Sequence, residues 1–312
     1  MRQKALRAAA RRLVIGAAVL SAAACRPDFD ERASRIDAPR VLAVRGSPPE
    51  AKPGDPVDYD VLVATPHGTD ASPGVAWAFC ASPKPLTEND VVSTACLGDG
   101  VRAIGASSTV RADTPKDACS LFGPDVPPGG FRPRDPDATG GYFQPVRATV
   151  TDPQTQGALA FGLERLVCDL ANASADAADA YRKAYVPNRN PKLAPLAAAA
   201  SGAPIDLAAG TVPPRARVAL TASWGDEDAE RYVSFDVAAQ AVVPRREAMR
   251  VSWFATAGAF DADRTGRAED DPGTSTENGW VAPPGPANVY LWVVLRDARG
   301  GVDFASYRIE VR

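Results

Sequence analysis

Apolar and polar residues alternate along several stretches of this chain, and the alternation predicts β-strands. Val57, Tyr59, Val61 and Val63 fall on one face of the segment 57–65, and acidic side chains fall mainly on the other. A period of two residues is typical of a strand with one face in the protein interior and one in water. The same reasoning predicts strands over 40–45, 75–80, 142–151, 158–170, 215–224, 231–236, 250–260, 288–297 and 302–311.

Two local signals add to this pattern. The last two strands flank the loop Ala298-Arg299-Gly300-Gly301, and two alternating runs around a Gly-Gly loop predict a β-hairpin. An Ala-rich segment, 175–185, is acidic at its start and basic near its end, and Ser174 precedes it. This order predicts a helix capped by Ser174.

The predicted strands favour a mainly β protein built from two Ig-like antiparallel β-sandwich domains in tandem. The short helix lies near the joint between the domains, and a long disulfide-clipped loop interrupts the first domain. The predicted organisation is a signal peptide over 1–24, a tether over 25–35, a first domain over 36–172 with an irregular insertion at about 81–141, a helix and linker over 173–191, and a second domain over 192–312.

The second domain carries a series of short motifs in a recognisable order. Val251-Ser252-Trp253 is followed by Gly258-Ala259-Phe260, by Trp280-Val281-Ala282-Pro283 and by the closing hairpin. This order resembles bacterial Ig-like and PKD-like domains, and the resemblance covers roughly residues 192–312. The first domain resembles the same class more loosely. Such domains are usually spacers, adhesion units or binding modules, so the resemblance implies an architecture and no particular ligand.

The amino-terminal segment has the layout of an export signal. Basic residues precede the apolar run Leu13–Ala24, which is too short for a membrane-spanning helix, and small residues precede Cys25. A cysteine at this place resembles the lipid acceptor of bacterial lipoproteins, although Ala22 stands where those proteins usually have Leu. We therefore expect lipidation of Cys25, with ordinary secretion as the alternative, and a location in the cell envelope, most simply at the outer membrane.

The chain has five cysteines, and their number supports this expectation. Four lie in the exported body and can pair, whereas Cys25 would be a lone exposed thiol unless it were modified. We expect Cys80 to pair with Cys96 and Cys119 with Cys168, although the sequence allows three pairings. Metal binding by these cysteines is disfavoured, because no Cys-x-x-Cys pair occurs and the exported compartment is oxidising.

Charge limits the partners of the mature protein. Removal of residues 1–24 takes away five basic residues, which leaves 30 basic and 38 acidic residues and a formal net charge of −8. A protein this acidic lacks the basic footprint of nucleic-acid binders. The expected partners are the membrane, through the lipid anchor, and envelope proteins or polysaccharide.

Two further segments are candidate binding sites. The acidic loop after residue 260 places oxygen-bearing side chains at Asp261, Asp263, Thr265 and Glu269, a pattern similar to the start of a calcium loop. Pro272 stands where a closing Glu is needed, so a solvated acidic loop is the alternative. In the penultimate strand, Tyr290 and Trp292 lie on the face opposite Leu291 and Val293, and they form a candidate aromatic surface if that face is wet.

The sequence favours a function other than catalysis. It has one histidine, His67, and it lacks the nucleophile elbow, the phosphate loop and the zinc-binding helix motif of common enzyme classes. We therefore expect a lipid-anchored envelope protein that acts as a binding, adhesion or structural module. An extracytoplasmic carbohydrate-active enzyme, or its accessory subunit, is the alternative.

Overall fold

The computed structural model describes residues 33–83, 92–123, 139–151, 158–207 and 210–312. The chain from Ser34 to Arg312 forms one compact unit. Within the described residues, its amino-terminal half contains nine strands and two α-helices. They are β1 (Arg40–Ser47), β2 (Glu50–Ala51), β3 (Pro56–Thr65), β4 (Gly68–Thr69), β5 (Val75–Cys80), β6 (Val101–Ala106), β7 (Val110–Asp113), α1 (Ala118–Phe122), β8 (Gly141–Val150), β9 (Leu159–Val167) and α2 (Ala175–Ala184).

The carboxy-terminal half contains twelve strands within the described residues. They are β10 (Ala197–Ala200), β11 (Ala203–Ile205), β12 (Thr211–Val212), β13 (Arg217–Ser223), β14 (Arg231–Asp236), β15 (Ala241–Arg246), β16 (Met249–Ala255), β17 (Ala259–Phe260), β18 (Arg264–Arg267), β19 (Ser275–Val281), β20 (Ala287–Arg296) and β21 (Val302–Val311).

Each half is a β-sandwich of two sheets. In the amino-terminal sandwich, β3 pairs with β1, β4 and β7, and the facing sheet has the order β2-β9-β8-β5-β6. In the carboxy-terminal sandwich, the order β11-β10-β13-β19-β17 faces the order β12-β21-β20-β16-β18. The strands β14 and β15 form a separate hairpin.

The two sandwiches share one strand order. In each, the first, second and fifth strands of an Ig domain lie side by side, as β1-β3-β7 and as β10-β13-β19. In the opposite sheet, the last, sixth and third strands lie side by side, as β9-β8-β5 and as β21-β20-β16. A short strand runs parallel to the last strand of each sandwich, β2 beside β9 and β12 beside β21. This arrangement is the Ig-like topology, and it confirms the mainly β, Ig-like fold class.

Apolar side chains from facing sheets meet in each sandwich and form its core. Trp77 on β5 and Trp253 on β16 occupy equivalent central positions, and both are almost fully buried. Their indole N–H groups have acceptors, the backbone carbonyl of Ser107 for Trp77 (2.8 Å) and the Thr265 hydroxyl for Trp253 (2.9 Å). A buried indole therefore keeps its hydrogen bond, as the packing of large aromatics requires.

The segment 81–141 is more regular than the sequence indicated. Its described part contributes β6 to one sheet of the amino-terminal sandwich and β7 to the other. The prediction of an irregular insertion is therefore wrong for these residues, because short strands with exposed faces lack the apolar alternation that marks a half-buried strand. Residues 84–91 and 124–138 of this segment lie outside the described residues.

The strand predicted over 250–260 is also divided. β16 ends at Ala255, and β17 pairs with β19 in the opposite sheet. Gly258 lies between them at φ 80°, a left-handed conformation that glycine adopts without strain. The turn at Gly258 thus carries the chain from one sheet to the other.

The predicted helix is confirmed. α2 covers Ala175–Ala184, and the Ser174 side chain accepts a hydrogen bond from the backbone N–H of Ala177 (3.3 Å). Asp176 lies in the first turn, and Arg182 and Lys183 lie in the last, in the order that the helix dipole favours.

Candidate functional site

A buried group of charged side chains joins the two sandwiches, and Arg299 lies at its centre. Arg299 is only 2% exposed. Its Nε donates to Oε1 of Glu247 (2.6 Å), its Nη2 donates to Oε2 of Glu230 (2.9 Å), and its Nη1 donates to the carbonyl of Val186 (2.7 Å). We call the group formed by Glu50, Arg165, Glu230, Glu247, Asp297 and Arg299 the charged junction.

The turn between β20 and β21 holds Arg299 in place. Oδ1 of Asp297 accepts hydrogen bonds from the backbone N–H groups of Arg299 and Gly301, each at 2.8 Å. Gly300 has φ 104°, which a residue with a side chain rarely adopts. These constraints fold the hairpin loop back on itself, so that the arginine points into the protein and away from water.

The two carboxylates that bind Arg299 come from the ends of the β14–β15 hairpin. Glu230 precedes β14 and Glu247 follows β15, and the backbone N–H of Glu247 donates to the carbonyl of Glu230 (3.0 Å). The Tyr232 ring lies 4.6 Å from the guanidinium carbon of Arg299, in a cation–π contact. The hairpin therefore presents both carboxylates and an aromatic face to one guanidinium group.

The amino-terminal sandwich supplies the other side of the charged junction. Nε of Arg165 on β9 donates to Oε2 of Glu50 on β2 (3.1 Å), and both side chains are about 1% exposed. The same carboxylate oxygen accepts the backbone N–H of Asn188 (3.1 Å) and lies 3.9 Å from Nη1 of Arg299. Glu50 thus connects the linker between the sandwiches to arginines of both.

Acidic groups outnumber arginines in this buried space, and their pKa values respond. Burial, followed by repulsion from Asp297, raises the pKa of Glu247 to about 8, although Arg299 opposes the change. Burial also raises the pKa of Asp297. Glu164 lies on β9, and burial and the charge of Glu50 raise its pKa well above the usual range. A buried carboxyl group without a full counter-charge is more stable when it is protonated.

An apolar contact continues the junction. Leu42 and Leu62 of the amino-terminal sandwich pack in one buried cluster with Trp292 and Val294 of β20 and with Val302 of β21. We call this cluster the apolar junction. Its further members are Ile36, Ala43, Ala64 and, partly buried, Phe254, Tyr290 and Phe304.

The apolar junction corrects the prediction of an exposed aromatic surface. Trp292 is fully buried, and its Nε1 donates to the hydroxyl of Thr69 in the amino-terminal sandwich (2.8 Å). Tyr290 is half-buried beside it, with ring centroids 6.3 Å apart. The face of β20 that carries them is covered by the other sandwich, which the sequence of β20 alone does not reveal.

The first described residues also bind the carboxy-terminal sandwich. The backbone N–H of Ala255, at the end of β16, donates to the carbonyl of Ser34 (2.9 Å), and the N–H of Ile36 donates to the carbonyl of Ala255 (3.0 Å). Ser34 and Arg35, which the sequence assigned to the tether, therefore belong to the folded structure.

Both disulfide bonds have the pairing that the sequence favoured. Cys80 is bonded to Cys96 and Cys119 to Cys168. The first bond closes a loop that leaves β5, and the second joins α1 to the chain that follows β9. Cys25 lies outside the described residues.

The structure does not bring the predicted calcium ligands together. Asp261 forms an ion pair with Arg217, and Oε1 of Glu269 accepts from Nη1 of Arg245 (2.7 Å). The Thr265 hydroxyl is the acceptor for the indole of Trp253. Within the described ranges, no group of three or more His, Cys, Asp or Glu side chains is arranged to hold a metal ion.

Sequence reasoning missed every member of the charged junction. In the sequence, Arg299 lies in a hairpin loop, where an arginine is usually exposed. Its partners are far apart in the chain, from residue 50 to residue 247, so no local spacing connects them. The one sequence signal is β20, whose Leu291–Leu295 stretch is apolar on both faces and therefore indicates burial on both faces.

Comparisons with known proteins give a fold likeness only. No known protein family matches the chain, and no curated protein matches it. Among solved structures, it is similar to the fibronectin(III)-like modules of Clostridium thermocellum CbhA, with 11% identity over 86% of this chain and 94% of that chain and a TM-score of 0.22.

Two further solved structures are similar to a comparable degree. One is the C-terminal domain of the Streptococcus agalactiae AgI/II polypeptide BspA, with 9% identity over 88% of this chain and 99% of that chain and a TM-score of 0.24. The other is the Yersinia pseudotuberculosis adhesin InvE, with 8% identity over 86% of this chain and 60% of that chain and a TM-score of 0.23. Values this low add nothing to the fold that the sheet order defines.

The sheet order and the junction together define the class of this protein. It is a tandem of two Ig-like β-sandwiches that share a buried charged and apolar junction. None of the helices in the part of the chain that the structure describes has the length and hydropathy needed to cross a membrane.

Proposed function

We propose that this chain is a lipid-anchored protein of the bacterial cell envelope that works as a non-catalytic binding or structural module. The observation that carries the proposal is the junction. Two sandwiches that share a buried ion-pair network and a buried apolar cluster are held in one relative orientation, which suits a rigid support for a binding surface or a spacer.

The charged junction supports this role over acid–base catalysis. Glu50, Glu230 and Glu247 are each at most 6% exposed, and at least one oxygen of each accepts a hydrogen bond from an arginine side chain. A catalytic acid or base has to reach the substrate within hydrogen-bond distance. Carboxylates that are closed off in this way connect the two sandwiches instead.

The cysteines support export and the anchor. Four of the five cysteines are bonded to one another, so Cys25 has no cysteine of the same chain left to pair with. Disulfide bonds form outside the cytoplasm, and Cys25 directly follows the export signal. The proposed site of lipidation is therefore Cys25, and the proposed location is the outer membrane.

The anchor is tested by labelling growing cells with an alkyne analogue of palmitate. The wild-type protein should carry the label and sediment with membranes, and the Cys25→Ala variant should lose the label. Intact-mass spectrometry of the purified protein should show a lipidated amino terminus. An unlabelled wild-type protein would overturn the anchor.

The module role is tested by capture from detergent-solubilised envelopes. The wild-type protein should enrich the same envelope protein or polysaccharide in repeated experiments, relative to an unrelated lipoprotein. Release of new sugar ends from envelope polysaccharide by the purified protein would instead support the carbohydrate-active enzyme. If the protein neither enriches a partner nor releases sugar ends, the binding role is contradicted and only the structural role is left.

A further inference from the structure

The described chain begins at one particular end of the carboxy-terminal sandwich. Ser34 and Ile36 pair with Ala255, the last residue of β16. The next residue, Thr256, donates its N–H to the carbonyl of Tyr290 (2.9 Å), and Tyr290 lies opposite Arg308 on β21. We call this end, with residues 34–40, 211–216, 255–258, 283–290 and 308–312, the tether end.

Arginines are concentrated at the tether end. Arg215 follows β12 and is held by its N–H, which donates to the carbonyl of Pro283 (3.1 Å). The N–H of Arg312 donates to the carbonyl of Val212 (3.1 Å), and the side chains of Arg215, Arg308 and Arg312 are exposed. Arg35 is exposed beside them, and half-buried Arg40 lies 5.4 Å from the Phe254 ring.

The side chains of the tether end differ in charge from the rest of the protein. The carboxylates within the ranges of the tether end are Asp37 and Glu310, so five arginines against two carboxylates give a side-chain charge of +3. Residues 25–312 together have a formal charge of −8. An acidic protein with one basic end is oriented by a negatively charged surface, with that end toward it.

The chain between Cys25 and Ser34 limits how far the tether end can lie from the lipid. Nine residues span at most about 30 Å when fully extended. Because Ser34 is fixed to β16, an anchor on Cys25 keeps this attachment point of the tether end within about 30 Å of the lipid.

We propose that the tether end lies against the anionic phospholipid headgroups of the membrane that holds Cys25. This inference rests on the proposed anchor for its geometry and on the arginines for its chemistry. Guanidinium groups bind phosphate in pairs of parallel hydrogen bonds, and each basic residue near an anionic membrane surface contributes about a fivefold gain in binding.

The test compares the lipidated full-length protein in two kinds of vesicle. One contains phosphatidylcholine alone, and the other contains about 30% phosphatidylglycerol in phosphatidylcholine. Hydrogen–deuterium exchange should slow in peptides covering 211–216, 283–290 and 308–312 only in the vesicles with phosphatidylglycerol. High salt should abolish the protection, because it screens the headgroup charges.

Matched variants separate a specific surface from net charge. Arg215→Gln, Arg308→Gln and Arg312→Gln in one chain should abolish the protection. The control carries Arg231→Gln, Arg250→Gln and Arg264→Gln, which remove three exposed arginines of β14, β16 and β18, and it should behave like the wild type. Equal exchange in the two vesicles, or equal behaviour of the two triple variants, would overturn the proposal.

A second arm distinguishes this inference from the anchor itself. Mass spectrometry of the same preparation shows whether Cys25 is lipidated. If Cys25 is not lipidated, the proposed anchor fails. Binding of the unlipidated protein is then measured by co-sedimentation with each kind of vesicle. Binding that requires phosphatidylglycerol and the three arginines of the tether end would then support the proposed membrane-facing surface without the anchor. If no such binding is found, the proposed surface is overturned as well.

Discussion

Arg299 shows how one side chain can connect distant parts of the chain. Its guanidinium group binds Glu247, Glu230 and the carbonyl of Val186, and it lies over the Tyr232 ring. Burial of an ion pair removes its hydration, and this cost cancels much of the attraction between the charges. An intact pair therefore adds little to the free energy of unfolding, whereas removal of one partner lowers it strongly. The asymmetry makes Arg299 a sensitive position.

We expect Arg299→Met to lower the free energy of unfolding by about 3–5 kcal/mol, because buried Glu247 loses its guanidinium donor and Glu230 keeps only its ion pair with the exposed Arg189. Urea denaturation measures the change. Arg250→Met, at an exposed position of β16, should cost less than about 0.5 kcal/mol. Adding Glu247→Gln to Arg299→Met should recover part of the lost free energy of unfolding. Equal losses in Arg299→Met and Arg250→Met would contradict the central place of Arg299 in the charged junction.

Glu247 should make stability depend on pH. Burial and the charge of Asp297 raise its pKa from about 4.5 to about 8 in the folded protein. Between these values the folded state holds a proton that the unfolded state has released, so the free energy of unfolding falls as pH rises toward 8. Below pH 4.5 both states are protonated, and above pH 8 both are ionised.

We expect Glu247→Gln to flatten this decline, since glutamine does not ionise but still accepts a hydrogen bond from Arg299. Urea midpoints at pH 5, 6.5 and 8 measure the slope. Glu277→Gln, an exposed carboxylate on β19, serves as the control and should keep the wild-type slope. A variant at residue 247 with an unchanged slope would show that other groups carry the pH dependence.

At the scale of elements, the disulfides fix the connections between strands. Cys80–Cys96 spans 16 residues of sequence, and Cys119–Cys168 spans 49. The second bond ties α1 to the chain that follows β9, and it encloses the described strands β8 and β9. A crosslink over a longer stretch restricts the unfolded chain more and therefore stabilises the folded state more.

We expect the loss of Cys119–Cys168, as a double Ser variant, to cost about 4 kcal/mol, and the loss of Cys80–Cys96 to cost about 3 kcal/mol. Chemical denaturation of each variant measures the cost relative to the oxidised wild type, which has both bonds. Reduction should destabilise each double variant further, because each keeps the other disulfide bond. A larger cost for the loss of Cys80–Cys96 than for the loss of Cys119–Cys168 would indicate that local packing outweighs chain entropy.

At the scale of the whole molecule, we expect the junction to make the two sandwiches unfold as one. The apolar junction belongs to both of them, since Leu42 and Leu62 come from one and Trp292 and Val294 from the other. Shared burial of this kind couples the stability of two sandwiches that each have a core of their own.

We expect the wild-type protein to unfold in a single calorimetric transition and Trp292→Ala to unfold in two. Removal of the indole leaves a large cavity at the apolar junction and lowers the free energy of unfolding by about 3–5 kcal/mol, while both cores stay intact. Thr69→Val, which removes only the acceptor of the Trp292 N–H, should keep one transition at a lower temperature. A single transition in Trp292→Ala would show that the coupling lies elsewhere.

The sequence by itself determined the strands with apolar alternation, the helix and the closing hairpin. Alternation such as that of Val57, Tyr59 and Val61 is a local property, and so are the Ser174 cap and the Gly-Gly hairpin. Each depends on neighbours within a few residues, so the printed order of side chains is enough to indicate them.

Only the tertiary structure decided what covers each face. Alternation shows that Trp292 and Val294 share a side of β20, but it does not show whether water or another sheet lies against that side. The same limit applies to Arg299, whose partners come from four separate segments. Contacts between residues far apart in the chain leave no periodic trace in the sequence, and therefore the junction became visible only in the folded molecule.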